Sequence, residues 1–280
     1  MDYIEVSIHI KPFRPFNEIL VAQLGEYEYE SFVEEEKNSL IKAYILEEHF
    51  DIKTVEDCCV VFKEALEYEI TATKIERVNW NKKWEENFDS VEVGTFCYVR
   101  APFHEAKPDF KHEIIIEPKM SFGTGHHQTT QMMIELMEDI DFKGKKVLDM
   151  GSGTGILAIL ARKMEAGNTD AIDIEDWAFE NMKENFGRNE VKVSSYLGGV
   201  EVISQINEQY DVIIANINKN ILLNQIQTYA AHLKLGGKLL LSGFYKTDAV
   251  DLLDADDLKE FSKEDERIKD DWCALKLNKA

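Results

Sequence analysis

The 280-residue chain has little of what marks a secreted, fibrous or membrane protein. Its four cysteines, Cys58, Cys59, Cys97 and Cys273, form no C-x-x-C pair. That excludes a disulfide framework or a zinc ribbon and leaves them as small apolar residues of a reducing compartment. Proline and glycine are sparse, 5 and 15 residues, so a collagen-like repeat or wholesale disorder is excluded. No apolar run reaches the roughly 18 residues a membrane helix needs, and Met1-Asp2-Tyr3-Ile4-Glu5 lacks the basic and apolar regions of a secretory signal. Positive charge is short: 32 Lys and Arg face 53 Asp and Glu, a net charge of −21. A general nucleic-acid binder needs a basic face to neutralise phosphates, so the expected partner is a small molecule or a basic protein. A soluble cytoplasmic monomer, touching neither nucleic acid nor membrane directly, is the expectation.

The length suits two modest domains. Over residues 1–76, Ile4, Val6, Ile8 and Ile10 alternate with Glu5, Ser7 and His9, the period of a half-buried strand. A helix from Phe16 stopped by Gly25, strands near Tyr29–Glu35 and Leu40–Leu46, a helix over Val55–Leu66 capped by Asp51 or Thr54, and a strand over Glu67–Ile75 follow. The order β-α-β-β-α-β is that of a small α+β ferredoxin-like domain. Residues 77–96 read as a linker helix, with Trp80 and Trp84 on one face packing against a neighbouring domain and Asn79, Lys82 and Lys83 left to face a substrate. From residue 97 to 280, near-continuous apolar strands alternate with amphipathic helices. That is the pattern of an α/β fold with a mostly parallel, Rossmann-like sheet covered on both faces. The acidic run from Asp248 to Asp271 reads as a solvated helix face and loop, with a lure for a lysine-rich substrate as the lesser reading.

Chemistry concentrates at four places. Val147-Leu148-Asp149-Met150-Gly151-Ser152-Gly153-Thr154-Gly155-Ile156 is a strand, a glycine turn and a helix start. Ile156 occupies the position where a dinucleotide fingerprint needs a third spaced glycine, so the turn does not cradle a diphosphate. Asp173 closes the next strand 18 residues after Gly155, where a carboxylate can accept both ribose hydroxyl hydrogens. Asn216 follows Asp211-Val212-Ile213-Ile214-Ala215, at the carboxyl end of a buried strand, and its amide oxygen can accept from an amine N–H. Ahead of all three lies Glu117-Pro118-Lys119-Met120-Ser121-Phe122-Gly123-Thr124-Gly125-His126-His127-Gln128-Thr129-Thr130. The paired histidines have no third ligand at a suitable spacing, so no metal is expected, and His127 reads as a loop anchor.

The Asp-x-Gly-x-Gly-x-Gly turn resembles the first motif of class I S-adenosylmethionine-dependent methyltransferases. Together with Phe-Gly-Thr-Gly-x-His-x-Thr-Thr before it, then Ala215-Asn216-Ile217 and Leu241-Ser242-Gly243, the chain resembles the ribosomal protein L-eleven (L11) methyltransferase family, PrmA. The likeness is carried by residues 79–245, including Asn79-Trp80-x-x-x-Trp84, and by the final strand, while residues 1–76 agree in element order alone. The resemblance implies methylation of α-amino and lysine ε-amino groups of large-subunit ribosomal protein L11, a substrate-recognition domain at 1–76, and S-adenosyl-L-methionine as cofactor. It carries the cofactor contacts onto Thr130, Gly151, Asp173 and Asn216, and the closing loop onto Phe122, Gly123, Thr124 and Gly125. Gly153 and Ile174, beside these, complete the expected cofactor contacts. Asn216 is also the expected catalytic residue. Three positions depart from the family's habit: Lys119 for a glycine, Ser152 for a cysteine and Trp177 for a proline. The competing readings are a same-fold methyltransferase for another protein or small-molecule amine, and a binding module that has lost transfer. Intact Asp149, Gly151, Gly153, Asp173 and Asn216 speak against the last.

Overall fold

The computed structural model describes residues 2–75, 85, 87–119 and 121–280, which divide into two units, Met1–Asn87 and Phe88–Ala280. Asn79, Trp80, Lys82, Lys83 and Trp84 of the expected linker, and Met120, lie outside the described residues. Among the described residues no helix is long and apolar enough to cross a membrane.

The first unit runs β1 (Tyr3–Lys11), α1 (Phe16–Leu24), β2 (Ser31–Glu35), β3 (Leu40–Leu46), α2 (Ile52–Val60) and β4 (Glu67–Ile75). Its sheet has the order β2-β3-β1-β4 with every pair antiparallel, the ferredoxin-like arrangement. Period-2 alternation turns Ile4, Val6, Ile8 and Ile10 of β1 into one core with Leu20, Leu24, Val55 and Cys59 from the helices. Asp51 caps α2 by accepting from the Lys53 N–H at 3.1 Å. That helix ends at Val60, short of the expected Leu66. At Phe62 and Lys63 the backbone takes i→i−3 bonds, Phe62 N–H to Cys59 O and Lys63 N–H to Val60 O, which tighten it into turns.

The second unit opens with a small sheet of β5 (Val91–Val93), β6 (Cys97–Arg100) and β7 (His112–Ile115). Residues 88–96, expected as linker, belong here because β5 pairs with β6. Next come α3 (Gln128–Glu138), β8 (Val147–Met150), α4 (Ile156–Lys163), β9 (Thr169–Asp173), α5 (Asp176–Arg188) and β10 (Ser194–Leu197). The chain finishes with α6 (Glu201–Ile206), β11 (Tyr210–Asn216), α7 (Lys219–His232), β12 (Leu233–Tyr245), α8 (Ala249–Leu253), β13 (Phe261–Lys269) and β14 (Trp272–Lys279). The seven-stranded sheet has the order β10-β9-β8-β11-β12-β14-β13. Pairings from β10 to β12 are parallel, and those of β14 are antiparallel. Alternate residues feed two cores. Val147, Val212, Ile214 and Leu240 pack under α3, α4 and α5, while Leu148, Ile213, Ala215, Leu239 and Leu241 pack under α6 and α7.

β13 corrects the expectation for the acidic run: helix is confined to its first part, and Phe261–Lys269 is an edge strand. Its Lys263-Glu264-Asp265-Glu266 centre hides the strand from a hydrophobic-period reading. Pairing on one side only lets charged residues sit there and discourages edge-to-edge association. Strand order reverses between β8 and β11, so the crevice beyond their carboxyl ends is the natural binding place of this sheet.

Candidate active site

A cavity of about 420 Å³ occupies that crevice, and Phe122, Gly151, Gly153, Asp173, Ile174 and Asn216 all line it. Four further residues expected at the cofactor stand outside the lining. Thr130 is buried behind Asn216. Gly123, Thr124 and Gly125 follow Phe122 and lie off the cavity: the Gly123 carbonyl accepts from Thr154, the Thr124 hydroxyl meets His126 Nδ1 at 3.0 Å, and Gly125 sits against Val99.

The glycine turn is shaped by close backbone approach. Gly153 has φ +56°, and a Cβ there would collide with the Phe122 carbonyl oxygen; Gly151, at φ +69°, leaves room for Ile217 in the same way. Beneath the turn, buried Asp149 accepts from the Ser152 hydroxyl at 2.7 Å and from the Ala158 N–H at 3.1 Å, so it ties the loop to the first turn of α4. Serine at position 152, a departure from the family's habit, thus supplies a good donor to a buried acid.

Burial pushes the Asp149 carboxyl up to about 6 from an ordinary 3.8, nearby Asp173 adds to this, and the two hydrogen bonds hold it back. A folded-state value above the unfolded one means that the native state binds the extra proton between those pH values. Stability contributed by the neutral acid is therefore present at low pH and lost as pH rises through 6, by roughly 3 kcal/mol. Asp149→Asn is expected to flatten that part of the stability-against-pH curve. Urea unfolding at pH 4 and pH 7.5, which bracket most of that change, measures it, and parallel curves for both proteins would refute the assignment.

Asp173 accepts from the Gly153 N–H at 2.8 Å through one carboxylate oxygen and from the Glu175 N–H at 3.1 Å through the other. Each oxygen keeps further acceptor capacity for a ligand. Asn216, the last residue of β11, donates from Nδ2 to the Thr130 hydroxyl at 3.4 Å, while its buried Oδ1 has no partner among the described residues. An unmet buried acceptor at a cavity wall is costly unless a ligand supplies the donor.

His127 caps α3: its Nδ1 accepts from the Thr129 N–H at 3.3 Å and lies 2.8 Å from the Thr129 hydroxyl. A backbone N–H only donates, so Nδ1 is the lone-pair nitrogen and the proton sits on Nε2. Burial lowers the His127 pKa and favours this neutral ring. The ring packs between Phe122 at 5.2 Å and Trp272 at 4.7 Å, and Trp272 stacks on Tyr245 at 4.4 Å. His126 meets the Asp89 carbonyl through Nε2 at 2.9 Å. Among the described residues no three His, Cys, Asp or Glu side chains gather where they could hold a metal ion.

Sequence reasoning missed several wall residues. Trp177, Ile217, Ile221 and Trp272 line the cavity. Trp272 reaches it only because β14 inserts antiparallel beside β12, which no local pattern announces. Buried Thr154 was also unforeseen: its N–H and hydroxyl bond the carbonyls of Phe122 and Gly123 at 3.0 and 2.6 Å, holding the loop onto the glycine turn. Upstream, Asn185 and Asn189 of α5 and its C-cap bond the backbone of Glu117 and Ile115, and Lys119, the second departure, pairs with Glu184. One signal was available, the asparagines spaced four apart on one helix face.

A family model describing ribosomal protein L11 methyltransferases (PrmA) matches residues 17–280, so the likeness extends through most of the first unit. A protein of Porphyromonas gingivalis named ribosomal protein L11 methyltransferase is 38% identical over 266 residues, covering 93% of this chain and 90% of the relative. A protein of the same name from Phocaeicola vulgatus is 38% identical over 281 residues and 99% of each chain. The crystal structure of a ribosomal protein L11 methylase from Lactobacillus delbrueckii subsp. bulgaricus superposes with a TM-score of 0.63 at 26% identity, covering 69% of this chain and 99% of that one.

Proposed function

The chain belongs to the ribosomal protein L11 methyltransferase family, and from that premise we propose that it transfers methyl groups from S-adenosylmethionine to α- and lysine ε-amino groups of ribosomal protein L11. The unmet Oδ1 of Asn216 on the cavity wall carries the reading. We further place the chain in the cytoplasm, as a monomer.

The residues fit the cofactor. Asp173 has acceptor capacity for two ribose hydroxyls, the bare backbone at Gly151 and Gly153 allows close approach, and Ile174, Trp177 and Ala178 give an apolar wall suited to a purine ring. Phe122, with Gly123, Thr124 and Gly125 behind it, forms the cover. Bound there, S-adenosylmethionine supplies a methyl carbon already activated by its sulfonium.

The protein's work is then positioning. Thr130 holds the Asn216 amide, and Oδ1 accepts an N–H of the incoming amine, which aims the nitrogen lone pair. The amine must be neutral: an α-amine loses its proton near pH 8, a lysine only near about 10.4 in water. Apolar walls of Phe122, Ile221 and Trp272 disfavour the ammonium form and so help release that proton to solvent. His127 does not act as base, since Nδ1 is taken by the cap.

Incubation of the purified chain with L11 and methyl-labelled S-adenosylmethionine, followed by mass spectrometry, tests the proposal. Label on L11 amino groups is expected; label on some other amine with L11 untouched would replace the substrate. Thr154→Val removes the donor to the Gly123 carbonyl without changing side-chain shape. It is expected to weaken cofactor affinity about tenfold and to lower the melting temperature by about 2–4 °C, because the Gly123 carbonyl loses its donor. Unaltered affinity in a binding titration would remove the loop from the site.

A further inference from the structure

The first unit has a cavity of its own, about 390 Å³, whose lining includes Glu26, Tyr27, Glu28, Tyr29, His49 and Asp51. It lies where the turn after α1 meets β3 and the start of α2. Among the described residues neither lysine nor arginine lines it. Its carboxylates are only partly spent: Glu28 pairs with His49 at 2.6 Å, and Asp51 uses one oxygen on the Lys53 N–H.

An independent observation makes this more than an acidic cluster. Tyr29 is only 7% exposed, and its hydroxyl has no hydrogen-bond partner among the described residues. Burial, with Cys58 and Asp51 nearby, pushes this hydroxyl up to about 12, so it remains a neutral group able to accept. A buried hydroxyl without a partner is unfavourable in a protein that uses it for nothing else. The wall thus presents acceptors and negative charge, with an exposed Tyr27 ring beside them.

That combination selects among ligands. An anion is repelled by the carboxylates. A lysine ammonium brings three donors and no acceptor, and its methylene stem can lie along Ile45 and the Tyr27 ring. We propose that this cavity seats the ammonium group of a lysine on the protein substrate, a docking contact separate from the amine that receives the methyl group. The inference rests on the reading of function above, because it takes the substrate to be a lysine-bearing protein. Such a contact lets the first unit grip the substrate by one charged side chain while another amine enters the site of the second unit.

Two conservative changes test it in the full chain. Tyr29→Phe removes the hydroxyl and keeps the ring; Glu26→Gln removes a charge and keeps the shape. In the double variant the KM for L11 is expected to rise about tenfold, as loss of a charge-assisted contact does. Turnover and the KM for S-adenosylmethionine should stay within about twofold, and melting temperature should not fall, since a buried hydroxyl without a partner has been removed. A wild-type KM for L11 in the variant overturns the inference and leaves the function intact. If the unaltered chain does not methylate L11 at all, the functional reading fails instead. The cavity is then judged by NMR titration with Nα-acetyl-lysine methylamide. Saturable shifts around Tyr29 that vanish in the double variant support an ammonium site, and their absence rejects it.

Discussion

Replacement of Asn216 by alanine is expected to lower turnover about a hundredfold while the dissociation constant for S-adenosylmethionine stays within about threefold. The asymmetry follows from where the two amide ends point. Nδ2 is held by Thr130 inside the protein, whereas Oδ1 is buried at the cavity wall without a partner. Alanine deletes a buried acceptor at the cavity wall that can orient an amine and leaves Asp173 and the glycine turn unchanged. Single-turnover kinetics at saturating cofactor isolates the chemical step. A variant that turns over normally would remove Asn216 from the mechanism; one that loses cofactor affinity instead would make it a binding residue.

The second large effect concerns Asp173. In Asp173→Asn, the amide oxygen can still accept from one backbone N–H, but the charge is gone and the NH₂ group cannot accept at all. Gly153 N–H at 2.8 Å and Glu175 N–H at 3.1 Å then compete with the ribose for a single acceptor. Hydrogen bonds to a charged group contribute about 1.5–3 kcal/mol each. Loss of one and weakening of another comes to about 3 kcal/mol, or about a hundredfold in affinity. Equilibrium dialysis with labelled cofactor should show that loss, while turnover at saturation falls by no more than about fivefold. Undiminished affinity would mean that Asp173 serves only to brace the glycine turn.

Local patterns made much of this architecture legible. The β1 alternation, the Asp51 cap, the apolar runs of β8, β11 and β12 and the glycine turn each depend on neighbours in sequence, so each could be read before any fold was known. Asp173 and Asn216 were found because strand ends are where such sheets bind ligands. The misses share the opposite property. β13 is charged because its pairing is one-sided. Trp272 and Trp177 meet at one cavity only through strand order, and Thr154 acts through carbonyls some thirty positions away in the chain. Ser152 and Lys119 looked like departures from the family's habit, yet the structure gives each a partner, Asp149 and Glu184. The glycine turn is legible from its own few residues, whereas the walls of the cavity come from residues distant in sequence.

Calorimetric titration of the purified chain with S-adenosylmethionine tests the central claim most directly. Saturable binding with one cofactor per chain, displaced by S-adenosylhomocysteine, is the predicted result. Absence of any heat of binding, with equally no protection against thermal unfolding, would contradict the account.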